Sequence, residues 1–259
     1  MIENRIGAGT VLGTQAAAAA PADGYTLVIG GLSNIVFNAG LYKKLPYDPL
    51  KDLVPVAMAY TLCYILVGSK ELPQKTTAEI VTAAKQKPSS ISLANAGTGT
   101  GQHLMGVAFQ KYAGIKFLEV PYRGASAVYP DLLSGRVDLF FDSATAALPY
   151  IKDGQARGIA ILSARRNAQI PDVPTMTESG MANLEIESWL GVFAPAKTPK
   201  PVIETLRTAI AQSLPDLRER FIATGGDVFE IAPDKLDSFV KAEYDNWTAL
   251  IRDAGITLD

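Results

Sequence analysis

Apolar runs broken by glycine and proline divide this chain into short elements, and their spacing predicts which are helices and which are strands. Residues 10–20 carry an alanine-rich helical pattern stopped by Pro21 and Gly24, and Tyr25-Thr-Leu-Val-Ile-Gly30 reads as a strand followed by a polar loop, Gly31-Leu-Ser-Asn34. Three prolines make 41–55 largely irregular, and the long apolar run 56–68 is a buried strand. A threonine before Glu79 caps a helix over Ile80-Val-Thr-Ala-Ala-Lys85. From there the pattern alternates: strand 91–95, helix 101–113, strand 116–121, helix 125–134, strand 137–141, helix 144–152, strand 156–162. Such alternation predicts parallel βαβ units. Beyond a proline-bounded linker, Ile170-Pro-Asp-Val-Pro174, lie a strand at 188–194 and helical patterns at 199–213, 215–224 and 233–254.

Parallel sheets bind ligands beyond the carboxyl ends of their strands, which selects the loops at 96–101, 122–126 and 142–145. The richest is Ala96-Gly-Thr-Gly-Thr-Gly101, between a strand and a helix. Gly97 and Gly99 let backbone approach a ligand, Thr98 and Thr100 add hydroxyls, and the helix N-terminus offers unpaired amides, a setting for an anion such as phosphate or carboxylate. His103, the single histidine, falls in the first helical turn, where it either faces the ligand or packs. Tyr122, Gly124, Ala125 and Ser126 form the second turn, Ser126 being equally a helix cap. Asp142 ends an apolar strand and either accepts bonds from a ligand or, with Ser143, caps the next helix. Ser33 and Asn34 are candidates from the first strand's loop, with Arg123 and Trp189 in lesser roles.

Composition narrows the function classes. With 259 residues, 48% hydrophobic and 19% charged, the chain has enough apolar side chain for a large core. A formal charge of −2 with scattered basic residues gives no footprint for nucleic acid. One cysteine, Cys63, sits in an apolar run, so an internal disulfide and a cysteine-rich metal site are excluded. The glycine loop lacks the third glycine of a dinucleotide fingerprint and a Walker lysine, and His103 has no nucleophile elbow nearby, so neither a cofactor nor an enzyme is expected. If there were catalysis on a carboxylate, His103 and Asp142 would be its candidates. Arg5 and the alanines are not expected to act as an export signal, and no apolar run reaches membrane-spanning length.

A set of sequence words runs through the chain in order: Glu3-Asn-Arg-x-Gly-Ala-Gly, Pro21-x-Asp-Gly-Tyr-Thr-Leu, Leu41-Tyr-Lys-Lys-Leu-Pro-Tyr-Asp-Pro, Ala94-Asn-Ala-Gly-x-Gly-Thr, Val120-Pro-Tyr-Arg-Gly, Leu132-Leu-Ser-Gly, Phe141-Asp, Ile170-Pro-Asp-Val-Pro-Thr and Ser188-Trp-x-Gly-x-Phe-Ala-Pro. With them the chain resembles the extracytoplasmic solute receptors of the Bug type, the substrate-binding components associated with tripartite tricarboxylate transporters. The resemblance implies a periplasmic-binding-protein type II-like α/β fold, two lobes joined by two crossing strands, with the ligand in the cleft between them. Residues 1–68 and 165–259 would make lobe 1 and 69–164 lobe 2. It further implies a periplasmic receptor without a cofactor, a small carboxylated ligand (di- or tricarboxylate, amino acid or aromatic acid), and membrane transporter subunits as partners.

The family pattern places an export signal, a first strand, a glycine- and proline-rich loop and a first helix before the words matching Glu3-Asn-Arg, whereas this sequence starts at Met1. The expectation is a truncated receptor lacking one of two carboxylate-gripping loops, with a sheet edge in lobe 1 open to a second copy. The alternatives are a non-transporting paralogue acting as a sensor or oligomeric interaction protein, and the carboxylate-processing enzyme above.

Overall fold

A computed structural model describes residues 1–5, 10–184 and 186–258; Gly7-Ala-Gly9 of the N-terminal motif lie outside the described residues. The chain forms two units: Met1–Thr61, Trp189–Ile222 and Asp227–Asp259 make unit 1, and Leu62–Ser188 with Ala223–Gly226 make unit 2. Among the described residues no helix is long and apolar enough to cross a membrane.

In unit 1, β1 (Val28–Gly31) runs antiparallel to β7 (Glu187–Pro195), with Val28 opposite Phe193 and Gly31 opposite Leu190. β7 in turn neighbours β2 (Leu53–Gly68). Helix α7 (Lys200–Ala223) lays Ile203, Leu206 and Ile210 on Val56, Val192 and Ala194 of these strands. Helix α8 (Leu236–Asp253) packs on the segment after β1, with Trp247 edge-on to Phe37 at 4.9 Å. Helix α1 (Val11–Ala18) buries Val11, Thr14 and Ala17, the i, i+3, i+6 stripe of a one-sided helix.

Unit 2 takes the second half of β2, which pairs antiparallel with β5 (Leu139–Ser143) and with β6 (Arg157–Leu162). β3 (Ser92–Asn95) then pairs in parallel with both β5 and β4 (Leu118–Pro121). The connections are α4 (Gly101–Ala113), α5 (Tyr129–Leu133) and α6 (Ala144–Lys152), and α3 (Thr77–Gln86) precedes β3. Buried Ile65, Val67, Phe140, Leu148 and Ile161 build the core of this unit.

Two expectations change. The segment after β1 is not a loop: Leu32–Phe37 forms a π-helical turn running into α2 (Asn38–Leu41). Leu32, Ile35, Val36 and Phe37 are all buried there, and the Asn34 side chain accepts the Gly31 amide at 2.9 Å to start the turn. Pro215 does not split α7, because Leu214 beside it is 3% exposed and anchors the helix through one lost amide bond. The compact units divide at Thr61/Leu62 and Ser188/Trp189, and Ala223–Gly226 returns to unit 2. β6 stays inside unit 2, since Ile161 donates to Pro174 O at 2.9 Å and accepts from Met176 N at 2.8 Å, which holds residues 163–176 to it. The chain therefore returns to unit 1 through β7.

Candidate functional site

β4, β3 and β5 are adjacent and parallel, so the loops leaving their carboxyl ends emerge side by side in unit 2. The first, Ala96–Thr100, owes its course to Gly97 (φ 118) and Gly99 (φ 81), positions where a side chain is strained. Asn95 starts it, accepting the Gly97 amide at 3.0 Å. Thr100 caps α4: its hydroxyl donates to Gly97 O at 2.7 Å and accepts the His103 amide at 3.3 Å. Two main-chain bonds tie this loop to the next, Tyr122 N to Asn95 O at 2.9 Å and Gly124 N to Ala96 O at 3.2 Å.

His103 is 8% exposed and turns inward. Its Nδ1 accepts the Gly99 amide at 3.2 Å, and its Nε2 lies 3.5 Å from a Glu119 carboxylate oxygen. Nδ1 is then the lone-pair nitrogen and Nε2 carries the hydrogen. The bond from His103 holds the Glu119 carboxyl below its ordinary range, against the opposing effect of burial.

Asp142 is 1% exposed at the end of β5. Tyr129 Oη donates to its Oδ2 at 2.8 Å, while the Ser143 amide at 2.8 Å and Gln102 Nε2 at 3.3 Å donate to Oδ1. Burial raises its pKa, and these three donors limit the rise. Ser143 takes the cap position of α6 without a side-chain bond, so neither Asp142 nor Ser143 caps that helix by its side chain. Tyr122 donates to Asp131 at 2.8 Å; burial and that bond push its phenol up to about 12.

The side chains thus brace the loops from behind. Among the described residues, the main-chain amides of Thr98, Gly101, Ala125 and Ser126 meet no acceptor, as do those of Gln102 and Arg123. Thr98 and Ser126 are exposed, Ala125 is half-buried, and Gly101 is buried. Tyr64 was missed from sequence because it sits in an apolar strand. A Cβ at Gly101 would collide with its hydroxyl, so that hydroxyl lies at the α4 N-terminus. Burial and the Asp142 charge push the Tyr64 phenol up to about 12, which keeps it a donor at neutral pH. A tyrosine inside an apolar run was the available signal, since a buried phenol seeks a polar partner. Gln102, Glu119 and Tyr129 were likewise not singled out as site residues.

Ser33 and Asn34 belong to unit 1. The Asn34 carboxamide is occupied within that unit, by Gly31 N, by Thr14 Oγ1 at 3.0 Å and by Ile29 O at 3.1 Å, while Ser33 is exposed. Trp189 is 1% exposed and donates to Glu243 at 3.0 Å, and Cys63 is buried. No three His, Cys, Asp or Glu side chains among the described residues gather as a metal site.

Comparison with known proteins gives matches over the whole length. The profile described as the tripartite tricarboxylate transporter family receptor matches residues 1–256. Protein BugT of Bordetella pertussis is 33% identical over 261 residues, covering 100% of this chain and 80% of BugT. The solved structure of R. palustris Rpa4515 with adipate superposes with a TM-score of 0.87 at 30% identity, covering 100% of this chain and 87% of that one. MatC of Rhodopseudomonas palustris with bound malate gives a TM-score of 0.81 at 29% identity, covering 97% and 87%.

Proposed function

Because the chain belongs to the tripartite tricarboxylate transporter receptor family, with the α/β solute-receptor fold and no enzymatic role, we propose that it captures a small dicarboxylate for a transporter of that type. One carboxylate is held by the amides of Thr98, Gly101, Ala125 and Ser126 and by the Tyr64 hydroxyl. The observation that carries this reading is the group of unpaired amides in the loops after β3 and β4, two neighbouring parallel strands, with the Thr100 and His103 side chains bonded within the first of these loops. Neutral donors stabilise an anion by their dipoles without a permanent counter-charge, which suits a solute that must later be released. Relatives solved with adipate and with malate support a carboxylate ligand of that size. Capture takes place in the periplasm, where BugD, a further relative 32% identical with a TM-score of 0.82, is described as a periplasmic binding protein.

Isothermal titration with adipate and malate, beside a monocarboxylate, a tricarboxylate and an amino acid, tests the proposal. It predicts saturable binding of at least one dicarboxylate and a raised melting temperature on adding it, by about 2.7 kcal/mol of stability at a hundredfold excess over Kd. Absence of saturable heat with every acid would refute it.

A further inference from the structure

We propose that His103 is a positioning residue: its neutral imidazole holds the glycine loop in the solute-binding course, and protonation of His103 releases the loop and weakens capture. The inference rests on the carboxylate-binding reading above.

The ring is fixed at both nitrogens. Nδ1 takes the Gly99 amide at 3.2 Å, and Nε2 is faced by Glu119 at 3.5 Å. A proton added at Nδ1 sets an N–H against the Gly99 N–H, donor against donor, and one of them must move. The imidazole does not move readily. It is 8% exposed, and its new charge strengthens the attraction to Glu119 on β4. The loop gives instead, since Gly97 and Gly99 are its most permissive points and Thr98 between them is exposed. Gly99 separates Thr98 from Gly101, two of the proposed donors, so its release misplaces both.

The charges around the imidazole support this direction. On β4 stands Glu119, itself acted on by Lys116; on β5 the Asp142 carboxylate is engaged by Gln102 and Tyr129; Ala182–Leu184, the short turn packed on α4, has no titratable side chain. A direct role for His103 would show the opposite sign: an imidazolium attracting the solute carboxylate would tighten binding in acid.

One histidine in the chain makes the test specific. Imidazole nitrogen shifts give the His103 titration by NMR, Gly99 amide exchange reports the loop, and calorimetry with adipate reports affinity across the same pH range, kept above the titration of adipate itself. Wild-type affinity is expected to fall roughly three- to tenfold as His103 protonates, the worth of one such bond, with Gly99 exchange rising in step. His103→Asn offers an oxygen close to Nδ1 that does not titrate, so it should bind as the wild type does at high pH and stay flat through the range. His103→Ala should be weak at every pH. An affinity that rises in acid, stays level through the imidazole titration, or is lost equally in His103→Asn and His103→Ala would overturn the proposal. Should adipate and the other acids fail to bind at any pH, the functional reading falls. Gly99 exchange against the His103 titration then still decides the clamp in the unliganded protein.

Discussion

The two units use the same kinds of buried polar side chain to opposite ends. In unit 1 the network is closed: Asn34 meets Gly31, Thr14 and Ile29, Tyr47 Oη donates to Asn34 O at 2.6 Å, and Asn38 reaches Tyr47 at 3.4 Å. These bonds fix a π-helical turn that tertiary contact alone would not specify. In unit 2, Asn95, Thr100 and His103 bond to loop backbone, and Tyr122 and Asp142 to Asp131 and Tyr129, yet these loops hold amides with no acceptor among the described residues. A closed network stabilises a fold. On the proposed reading, a network that leaves amides unpaired prepares a site, and substitutions in the two units should divide accordingly between stability and affinity.

The largest effect on stability belongs to unit 1. Asn34→Ala removes three side-chain bonds and strands buried partners, at roughly 2–4 kcal/mol. Denaturant unfolding followed by fluorescence reads it well, because both tryptophans, Trp189 and Trp247, are in unit 1. A cost below about 0.5 kcal/mol, the range of ordinary surface changes, would break the distinction.

In unit 2, Gly101→Ala drives a methyl into the Tyr64 hydroxyl. Displacement of that hydroxyl and of the α4 N-terminus should weaken adipate binding by roughly tenfold or more, with about 1–3 kcal/mol of lost stability from overpacking. Tyr64→Phe in the same chain should recover part of the stability and little of the affinity. If the double variant instead binds as the wild type does, Tyr64 is no donor to the ligand.

The pH dependence separates the units by sign. Burial raises the Glu243 carboxyl in unit 1 above its ordinary 4.5, with the Trp189 and Trp247 bonds opposing, so its contribution is fully present below 4.5 and is lost as pH rises through the folded value. Glu119 in unit 2 is lowered by His103, so its contribution is present above 4.5 and is lost as pH falls through the folded value. Glu243→Gln should therefore be at least as stable as wild type at neutral pH. Glu119→Gln should lose most where the wild-type carboxylate is ionised. Urea titrations at several pH values measure both, and equal slopes for the two variants would contradict the assignment.

The smallest effect is expected at the exposed Lys241–Asp245 pair of α8, 2.6 Å apart, where Lys241→Ala should change stability by about 0.5 kcal/mol or less.

Much of this was legible in the sequence, and what was not has physical causes. α4 and α6 appear at 101–113 and 144–152 as their spacing predicts, because Thr100 caps the first and each apolar stripe is regular. The Leu32–Phe37 turn was not legible: its bond from Gly31 to Asn34 matters only once Thr14 and Tyr47 close around it. The candidate loops could be found by their glycines and their place after strands. The orientation of His103, inward to Gly99 and Glu119, could not, since Glu119 arrives from a neighbouring strand sixteen positions away in the chain. Tyr64 was hidden for the same reason, its hydroxyl meeting Gly101 only through the pairing of β2 with β5 and of β5 with β3.

The most direct test of the site is a proton–nitrogen correlation spectrum of the assigned protein titrated with adipate. Capture by the unit 2 loops predicts saturable shifts greatest at the amides of Thr98, Gly101, Ala125 and Ser126, with those of Gly31 and Asn34 near their unliganded positions. Saturable binding that leaves these four amides unmoved, or no saturable shift with adipate or malate, would contradict it.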